Sequence, residues 1–386
     1  MFITLICSAL LITPFFIWSG FDTRQPKLLL ALVFSLGLSL YAFSKGYYKP
    51  YKNIWILLFL AFIPINFIFA PQIENRIASV QMSSWVLEAF LYILIFFLAH
   101  AALSSYQFSD DDKDKILKIM VRVGAVMSLY AAAQWFGFDQ FFKGQQGGAL
   151  QTCGTLGTPV LLSPFLAMII PIALYFRKYI QSVLMLIVVF LCNSQVGCGA
   201  MIVSLIFLVG TKSKYLKFAM VSLFITLSLV LSIGFFTSSK IRSFVGEGTG
   251  TTRFPVWSQI IKDVKNPVVM KDGETERYGI TGFGLGSFRY LFHARNSNAF
   301  FEAHNDYLEL FYNTGVLGLG LFLLGLGTFV KQCLPLDRLK AHLLASFICV
   351  MVAAGGIFVL QQGAYIFYIL VLTGLLTNKE VVNGEH

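Results

Sequence analysis

The sequence predicts an all-α integral membrane protein that crosses the bilayer about twelve times and carries one large loop with short helices on the outer side. Hydrophobic residues make up 57% of the 386 residues and charged residues only 12%, whereas soluble chains carry about 25% charged residues. The mean hydropathy is +0.73. A surface so poor in charge is not stable in water, so we expect residues 1–386 to form a single membrane domain.

The predicted spans are apolar runs between charged or Pro/Gly-rich breaks, judged against the roughly 20 residues that cross the hydrocarbon core. They fall near residues 2–18, 28–44, 54–70, 86–103, 116–136, 159–176, 182–193, 197–210, 216–236, 308–330, 339–359 and 362–377. The seventh and eighth runs are short and lie on either side of residues 193–196. They are therefore either two tilted helices or one broken element.

Lysine and arginine residues in the short loops predict the orientation, because cytoplasmic loops carry an excess of both. With a cytoplasmic N-terminus, the inner loops contain fourteen: Lys45, Lys49, Lys52, Lys113, Lys115, Lys118, Arg177, Lys178, Lys212, Lys214, Lys217, Lys331, Arg338 and Lys340. The short outer loops contain four: Arg24, Lys27, Arg76 and Lys143. Both termini are thus predicted to be cytoplasmic. The net charge of +10 is explained by this bias, so we expect membrane lipids as partners and no nucleic acid.

Residues 237–306 form the one long loop, and the orientation puts it outside. Loops of this length are usually functional or disordered, and several aromatic side chains here argue against disorder. Thr252 and Pro255 predict the start of a short helix, and residues 266–267 its end. Apolar residues follow at helical spacing: Phe254, Trp257, Ile260, Ile261 and Val264. We expect this helix to lie on the membrane with its apolar face down.

Two kinds of site residue stand out in this loop. Arg253 lies at the start of the short helix, where free backbone N–H groups favour an anion; contact with a lipid phosphate is the alternative. Glu302, His304, Asn305, Asp306 and Glu309 crowd the outer mouth of a span, where ionisable groups are costly and usually functional. Their spacing does not bring all of them to one helix face, so we expect no metal site and no cofactor.

Glycines surround this polar cluster. Those between residues 279 and 288 are not preceded by a βαβ context, which favours turns over a nucleotide site. A second set is predicted to permit close helix packing: Gly315, Gly318, Gly320, Gly325 and Gly327.

The stretch from Arg253 to Leu324 resembles the O-antigen ligase family of bacterial membrane glycosyltransferases, which includes O-antigen polymerases and protein O-oligosaccharyltransferases. The motifs are Thr252-Arg253 with Trp257, Gly282-x-Gly284-x-Gly286-x-Phe288, His304-Asn305-Asp306-Tyr307-Leu308 and Thr314-Gly315-Val316-Leu317-Gly318. The resemblance implies a GT-C-like fold in the bacterial inner membrane. It also implies transfer of a glycan from a polyprenyl-pyrophosphate carrier to an acceptor hydroxyl, on lipid A-core or a similar glycolipid or glycan, at the outer face.

The resemblance further implies roles for individual residues. Arg253 would stabilise the departing pyrophosphate, and His304 would either take the proton of the acceptor hydroxyl or only position it. The implied substrate-binding residues are Arg289, Asn305, Asp306, Tyr307, Gln195 and Trp257. Family members often carry Ser-Arg-Gly where this chain has Ser194, Gln195 and Val196. One cationic contact is therefore missing, or Arg289 or Arg295 supplies it.

Two alternatives stay open beside the ligase. One is polymerisation of the same lipid-linked glycan. The other, from a different class, is a membrane transporter, although transporters are often built of repeated halves with ionisable groups near the midplane. This sequence shows no matching halves, and its polar residues gather in one outer loop.

Overall fold

The computed structural model describes residues 1–15, 24–48, 53–68, 93–138, 152–211, 250–266, 268–269, 275–276, 278–288, 292, 303–357 and 359–378. The predicted ninth span and much of the long loop, including Arg289, Arg295 and Glu302, lie outside these residues. Within the described part the chain is helical, as predicted, apart from one short β-hairpin.

The described helices are α1 (Phe2–Ile12), α2 (Arg24–Ser44), α3 (Ile54–Ile68), α4 (Ile93–Ser105), α5 (Asp110–Trp135), α6 (Pro159–Tyr175), α7 (Tyr179–Leu191), α8 (Gln195–Gly210), α9 (Gly250–Lys265), α10 (Asp306–Gln332), α11 (Arg338–Ala354) and α12 (Gly363–Thr377). Eleven of the described helices overlap predicted spans, and one, α9, lies in the predicted loop. A 3₁₀ turn spans Val359–Gln361. Within the described ranges three helical stretches are long and apolar enough to cross a membrane: Pro26–Ser44, α5 and α10. Together with several shorter apolar helices they indicate a membrane protein; the count of twelve spans stays a prediction.

The chain divides into two compact units, and the first comprises residues 1–50, 95–212 and 332–386. In this unit α6 packs against α7, α8 and α11. The Thr158 side chain caps α6 by accepting a hydrogen bond from Leu161 N at 3.3 Å, and Pro159 occupies its first turn. Separate helices α7 and α8 lie on either side of a turn at residues 192–194, where Asn193 has a φ of 47°.

The second unit comprises residues 51–94 and 213–331. It contains α3, α9, α10 and a hairpin of Val268–Val269 paired antiparallel with Thr275–Glu276. The hairpin was not predicted, because two-residue strands are too short to produce an alternating pattern.

Two predictions about helix α9 are wrong. It begins at Gly250, so Thr252 lies inside the helix and is not its cap. Its apolar face does not lie on the membrane, since Val256, Ile260 and Val264 are buried in a cluster of protein side chains. The remaining buried members of this cluster are Tyr278, Phe283, Phe288, Phe292, Ala303 and Tyr312. The predicted end of the helix before Asn266 is confirmed.

The glycines of α10 do not share one role. A β-carbon at Gly325 would come within 2.7 Å of Ile56 Cγ1 on α3, and one at Gly318 within 3.1 Å of Phe62; close packing is confirmed at these two positions. Among the described residues, nothing lies within 4 Å of a β-carbon built on Gly320 or on Gly327, so no described contact requires a glycine there. Gly315 breaks the helix, as described below. The close approach at Gly315 is to residues 280–282 and not to another helix. At Gly320 and Gly327 the packing prediction is not confirmed, because spacing alone does not say which glycine meets a neighbour.

Candidate active site

Arg253 and His304 lie on two segments of the second unit that are joined by a direct hydrogen bond. Trp257, one turn after Arg253 on the same face of α9, donates from its indole Nε1 to the main-chain oxygen of Ala303 at 2.7 Å. Ala303 is buried and directly precedes His304. The bond therefore fixes the start of the His304 segment against the helix that carries Arg253.

His304 adopts a left-handed backbone conformation just before α10 begins. Its φ is 49°, a value that is uncommon for residues other than glycine. The next residue, Asn305, caps the helix, because its Oδ1 accepts hydrogen bonds from Tyr307 N and Leu308 N, each at 3.1 Å. The His304 backbone is thus bounded by the Trp257 contact on one side and by the helix cap on the other.

Buried polar side chains continue along the N-terminal half of α10. Asn305, Asp306, Glu309 and Asn313 are each less than one-tenth exposed. The last three are spaced by three and four residues, which aligns them on one helix face. The described residues contain no group of three or more His, Cys, Asp or Glu side chains placed to bind a metal ion.

A turn formed by residues 278–288, called here the glycine turn, is inserted into α10 at Gly315. Gly315 has φ 64° and ψ −166°, and Gly282, Gly284 and Gly286 also have positive φ. The predicted turns are therefore confirmed. A β-carbon on Gly282 or on Gly315 would overlap the backbone of the other segment, so the two chains meet main chain to main chain.

Four backbone hydrogen bonds replace the helical ones lost at this break. The oxygens of Tyr312 and Asn313 accept from Phe283 N at 3.0 Å and Gly284 N at 2.8 Å. Beyond the break, Val316 N and Leu317 N each donate at 3.0 Å to the oxygens of Gly279 and Ile280. The glycine turn thus satisfies the groups that an interrupted helix would otherwise leave without partners.

Asn313 joins the glycine turn to α10 through its side chain as well. Its Oδ1 accepts from Phe288 N at 2.9 Å and from Ser287 Oγ at 3.1 Å. Sequence analysis did not single out Asn313. Its spacing from Asp306 and Glu309 in an apolar span was the one signal that could have identified it.

Arg253 is half-buried on α9, and burial lowers the pKa of its guanidinium from the ordinary value. A partly desolvated cation gains more from an anion than a fully hydrated one, because the attraction is less screened. Its position therefore suits contact with a phosphate or pyrophosphate group.

The remaining predicted site residues are distributed over the chain. Tyr307 lies in the first turn of α10 and is partly buried. Gln195 belongs to the first unit, where it is exposed at the start of α8, next to the cap residue Ser194. Arg289 directly follows the glycine turn in sequence and lies outside the described residues. Of the predicted residues, the structure thus brings Trp257 to the segment of His304, Asn305 and Asp306.

No protein-family model matches this chain, and no curated protein matches its sequence. The resemblance to the O-antigen ligase family is carried by the motifs alone.

Proposed function

We propose that this chain is a multi-pass glycosyltransferase of the bacterial inner membrane, with both termini in the cytoplasm. It transfers a glycan from a polyprenyl-pyrophosphate carrier to an acceptor hydroxyl at the outer face, in the manner of an O-antigen ligase. The observation that supports this most is the hydrogen bond from Trp257 to Ala303. It links the helix of a half-buried arginine to the segment of a histidine.

The proposed reaction needs one cation and one proton acceptor near the same carbon atom. The acceptor hydroxyl oxygen forms a bond to the anomeric carbon, while the bond from that carbon to the pyrophosphate oxygen breaks. Arg253 stabilises the negative charge that develops on the leaving pyrophosphate. His304 accepts the hydroxyl proton or orients the hydroxyl. Asn305, Asp306, Tyr307, Arg289 and Gln195 are proposed as substrate contacts.

A transporter is the second candidate, because a helix broken at membrane depth is a feature of many transporters. In such proteins the backbone groups at the break contact substrate or ions. In α10 the glycine turn instead forms hydrogen bonds with these backbone groups, which belong to Tyr312, Asn313, Val316 and Leu317. This difference favours the transferase.

The test measures transfer of lipid-linked glycan to its acceptor in membranes that contain each variant at equal, folded amount. Arg253→Ala and His304→Ala should each reduce the rate on the order of 10²-fold or more, the scale of losing one preorganised electrostatic group. Arg253→Lys should recover part of the rate, because an ammonium does not bind phosphate through two parallel hydrogen bonds. Transfer should persist in EDTA.

Arg277→Ala is the matched control, since Arg277 lies in the same predicted loop outside the motifs. An equal loss in Arg277→Ala and Arg253→Ala would contradict the assigned site.

Deleting the gene distinguishes the related activities: surface glycan of single repeats indicates a polymerase, and loss of every long chain indicates a ligase. Substrate uptake by the purified protein without transfer would favour the transporter.

The proposed orientation has its own measurement. Single cysteines replacing Ser243 and Ser213 in a cysteine-free variant should react oppositely with a membrane-impermeant thiol reagent. Ser243→Cys should be labelled in intact cells and Ser213→Cys only after lysis. Labelling of Ser213→Cys in intact cells would reverse the orientation.

A further inference from the structure

We propose that Trp257 is a positioning residue that sets the backbone conformation of His304, and that it acts on the reaction through His304. This inference rests on the proposed function, in which His304 meets the acceptor hydroxyl. It replaces the prediction that Trp257 contacts substrate. The evidence is the 2.7 Å hydrogen bond from the indole to Ala303 O, directly before a histidine with a φ of 49°.

The conformation of His304 needs support from its surroundings. The left-handed region costs an L-residue about 1 to 2 kcal/mol, and such residues persist only where neighbouring contacts determine them. Asn305 supplies one contact through its cap on α10. The indole supplies the other, because it fixes the carbonyl of the preceding peptide. Without this bond His304 can return to an ordinary conformation, and its imidazole then points elsewhere.

The same bond also sets the distance between the two proposed catalytic side chains. Trp257 follows Arg253 by four residues, so both project from one face of α9. Anchoring Trp257 to Ala303 therefore fixes Arg253 relative to His304. Cation and proton acceptor must lie on either side of one reacting carbon, and errors of about 1 Å at such sites cost on the order of 10²-fold in rate.

The surroundings of Trp257 favour this role over stacking on a sugar. The ring is partly buried and packs against the cluster that contains Val256, Phe283 and Tyr312. Its N–H group donates to the main chain of the protein. A tryptophan that binds sugar uses an open ring face or this N–H group for the ligand.

The test compares Trp257→Phe with the wild type. Phenylalanine keeps an aromatic ring in the cluster and removes the N–H donor. We expect kcat to fall on the order of 10-fold with KM nearly unchanged. Trp135→Phe, at an exposed tryptophan at the end of α5, is the matched control and should transfer at the wild-type rate. A rise in KM at unchanged kcat would instead identify Trp257 as a substrate contact and overturn the proposal.

A double-mutant cycle with His304→Gln examines the dependence on His304. If Trp257 acts through His304, adding Trp257→Phe to His304→Gln should cause little further loss. An equal fold-loss in both backgrounds would overturn the proposal, because it shows an independent role. A wild type without transfer activity contradicts the proposed function itself, which separates the two failures.

Acylation of histidine by diethyl pyrocarbonate gives a measurement that does not depend on activity. In Trp257→Phe the imidazole of His304 should react several-fold faster than in the wild type, as measured by mass spectrometry of the peptide. His342 of α11 is the internal reference and should react at one rate in both proteins. Equal rates at His304 would overturn the proposal even if His304→Gln is too slow for the cycle.

Discussion

Helices α5 and α10 are similar in length and hydropathy and different in structure. Each is a long apolar helix of 26 or 27 residues, and both satisfy the length and hydropathy of a membrane span. Helix α5 is continuous, and Ser109 and Asp112 form a capping box at its N-terminus. Helix α10 starts at an asparagine cap and then breaks at Gly315, where the glycine turn enters. Length and hydropathy therefore do not reveal whether a span is continuous.

Polar side chains in both helices have local partners, and each helix also has one side chain with distant partners. In α5, Ser128 donates to Gly124 O at 2.8 Å and Lys118 pairs with Asp114 at 2.9 Å. Gln134 at its end accepts from Gly154 N at 2.7 Å, 20 residues away in sequence. In α10 the Asn313 carboxamide bonds to the glycine turn, 25 residues away in sequence. Local bonds form whenever the helix forms, whereas the bonds of Asn313 require the rest of the unit. A buried polar group with distant partners therefore depends on the tertiary fold of its unit.

The largest difference in stability between matched variants of the two helices is expected when a glycine is replaced by alanine. In Gly315→Ala the new β-carbon overlaps Ile280 O, and the backbone conformation is one that alanine rarely adopts. We expect a loss of stability on the order of 3 kcal/mol or more. In Gly124→Ala of α5 the new atom meets side-chain atoms of Met185 at 2.7 Å and Ile169 at 3.2 Å and no backbone, and higher helix propensity offsets the strain to within about 1 kcal/mol.

Thermal unfolding in detergent, followed with a thiol-reactive dye that reports the buried cysteines, measures both glycine variants. Equal melting temperatures for Gly315→Ala and the wild type would mean that the break in α10 is not required.

A smaller difference is expected at the polar side chains. Asn313→Ala removes the acceptor of Phe288 N and Ser287 Oγ and leaves a buried N–H group without its partner. The expected cost is about 1 to 3 kcal/mol. Ser128→Ala in α5 removes one local bond and should change stability by less than about 1 kcal/mol. The same unfolding assay applies, and equal shifts for the two variants would contradict the contrast between local and distant partners.

The smallest difference in stability is expected at the helix caps. Asn305→Ala and Ser109→Ala each remove a capping side chain and should each cost about 1 kcal/mol. They should differ in activity, because Asn305 adjoins His304 and Ser109 belongs to the first unit. We expect transfer to fall in Asn305→Ala and to remain normal in Ser109→Ala. Equal transfer rates would show that the cap of α10 has no influence on the proposed site.

The sequence by itself determined the helical class, the location of most helices and several of their ends. Asn266 directly follows the end of α9, as predicted, because helix-breaking preferences act within a few residues of the backbone. The residues of the candidate site were also named from the sequence, since histidine, arginine and carboxylates are unusual at the mouth of an apolar span. The turn conformation of Gly282, Gly284 and Gly286 followed from the same local reasoning.

Only the tertiary structure decided how these parts meet. The break at Gly315 depends on bonds to residues 279–284, and no local preference in α10 encodes a partner 29 to 37 residues away. The apolar face of α9 was assigned to the membrane because hydropathy measures only the loss of water. Burial against lipid and burial against Tyr278, Phe283 and Tyr312 produce the same pattern in sequence. The contact of Trp257 with Ala303 arises in the same way, since a hydrogen-bond partner is chosen by the folded geometry of the unit.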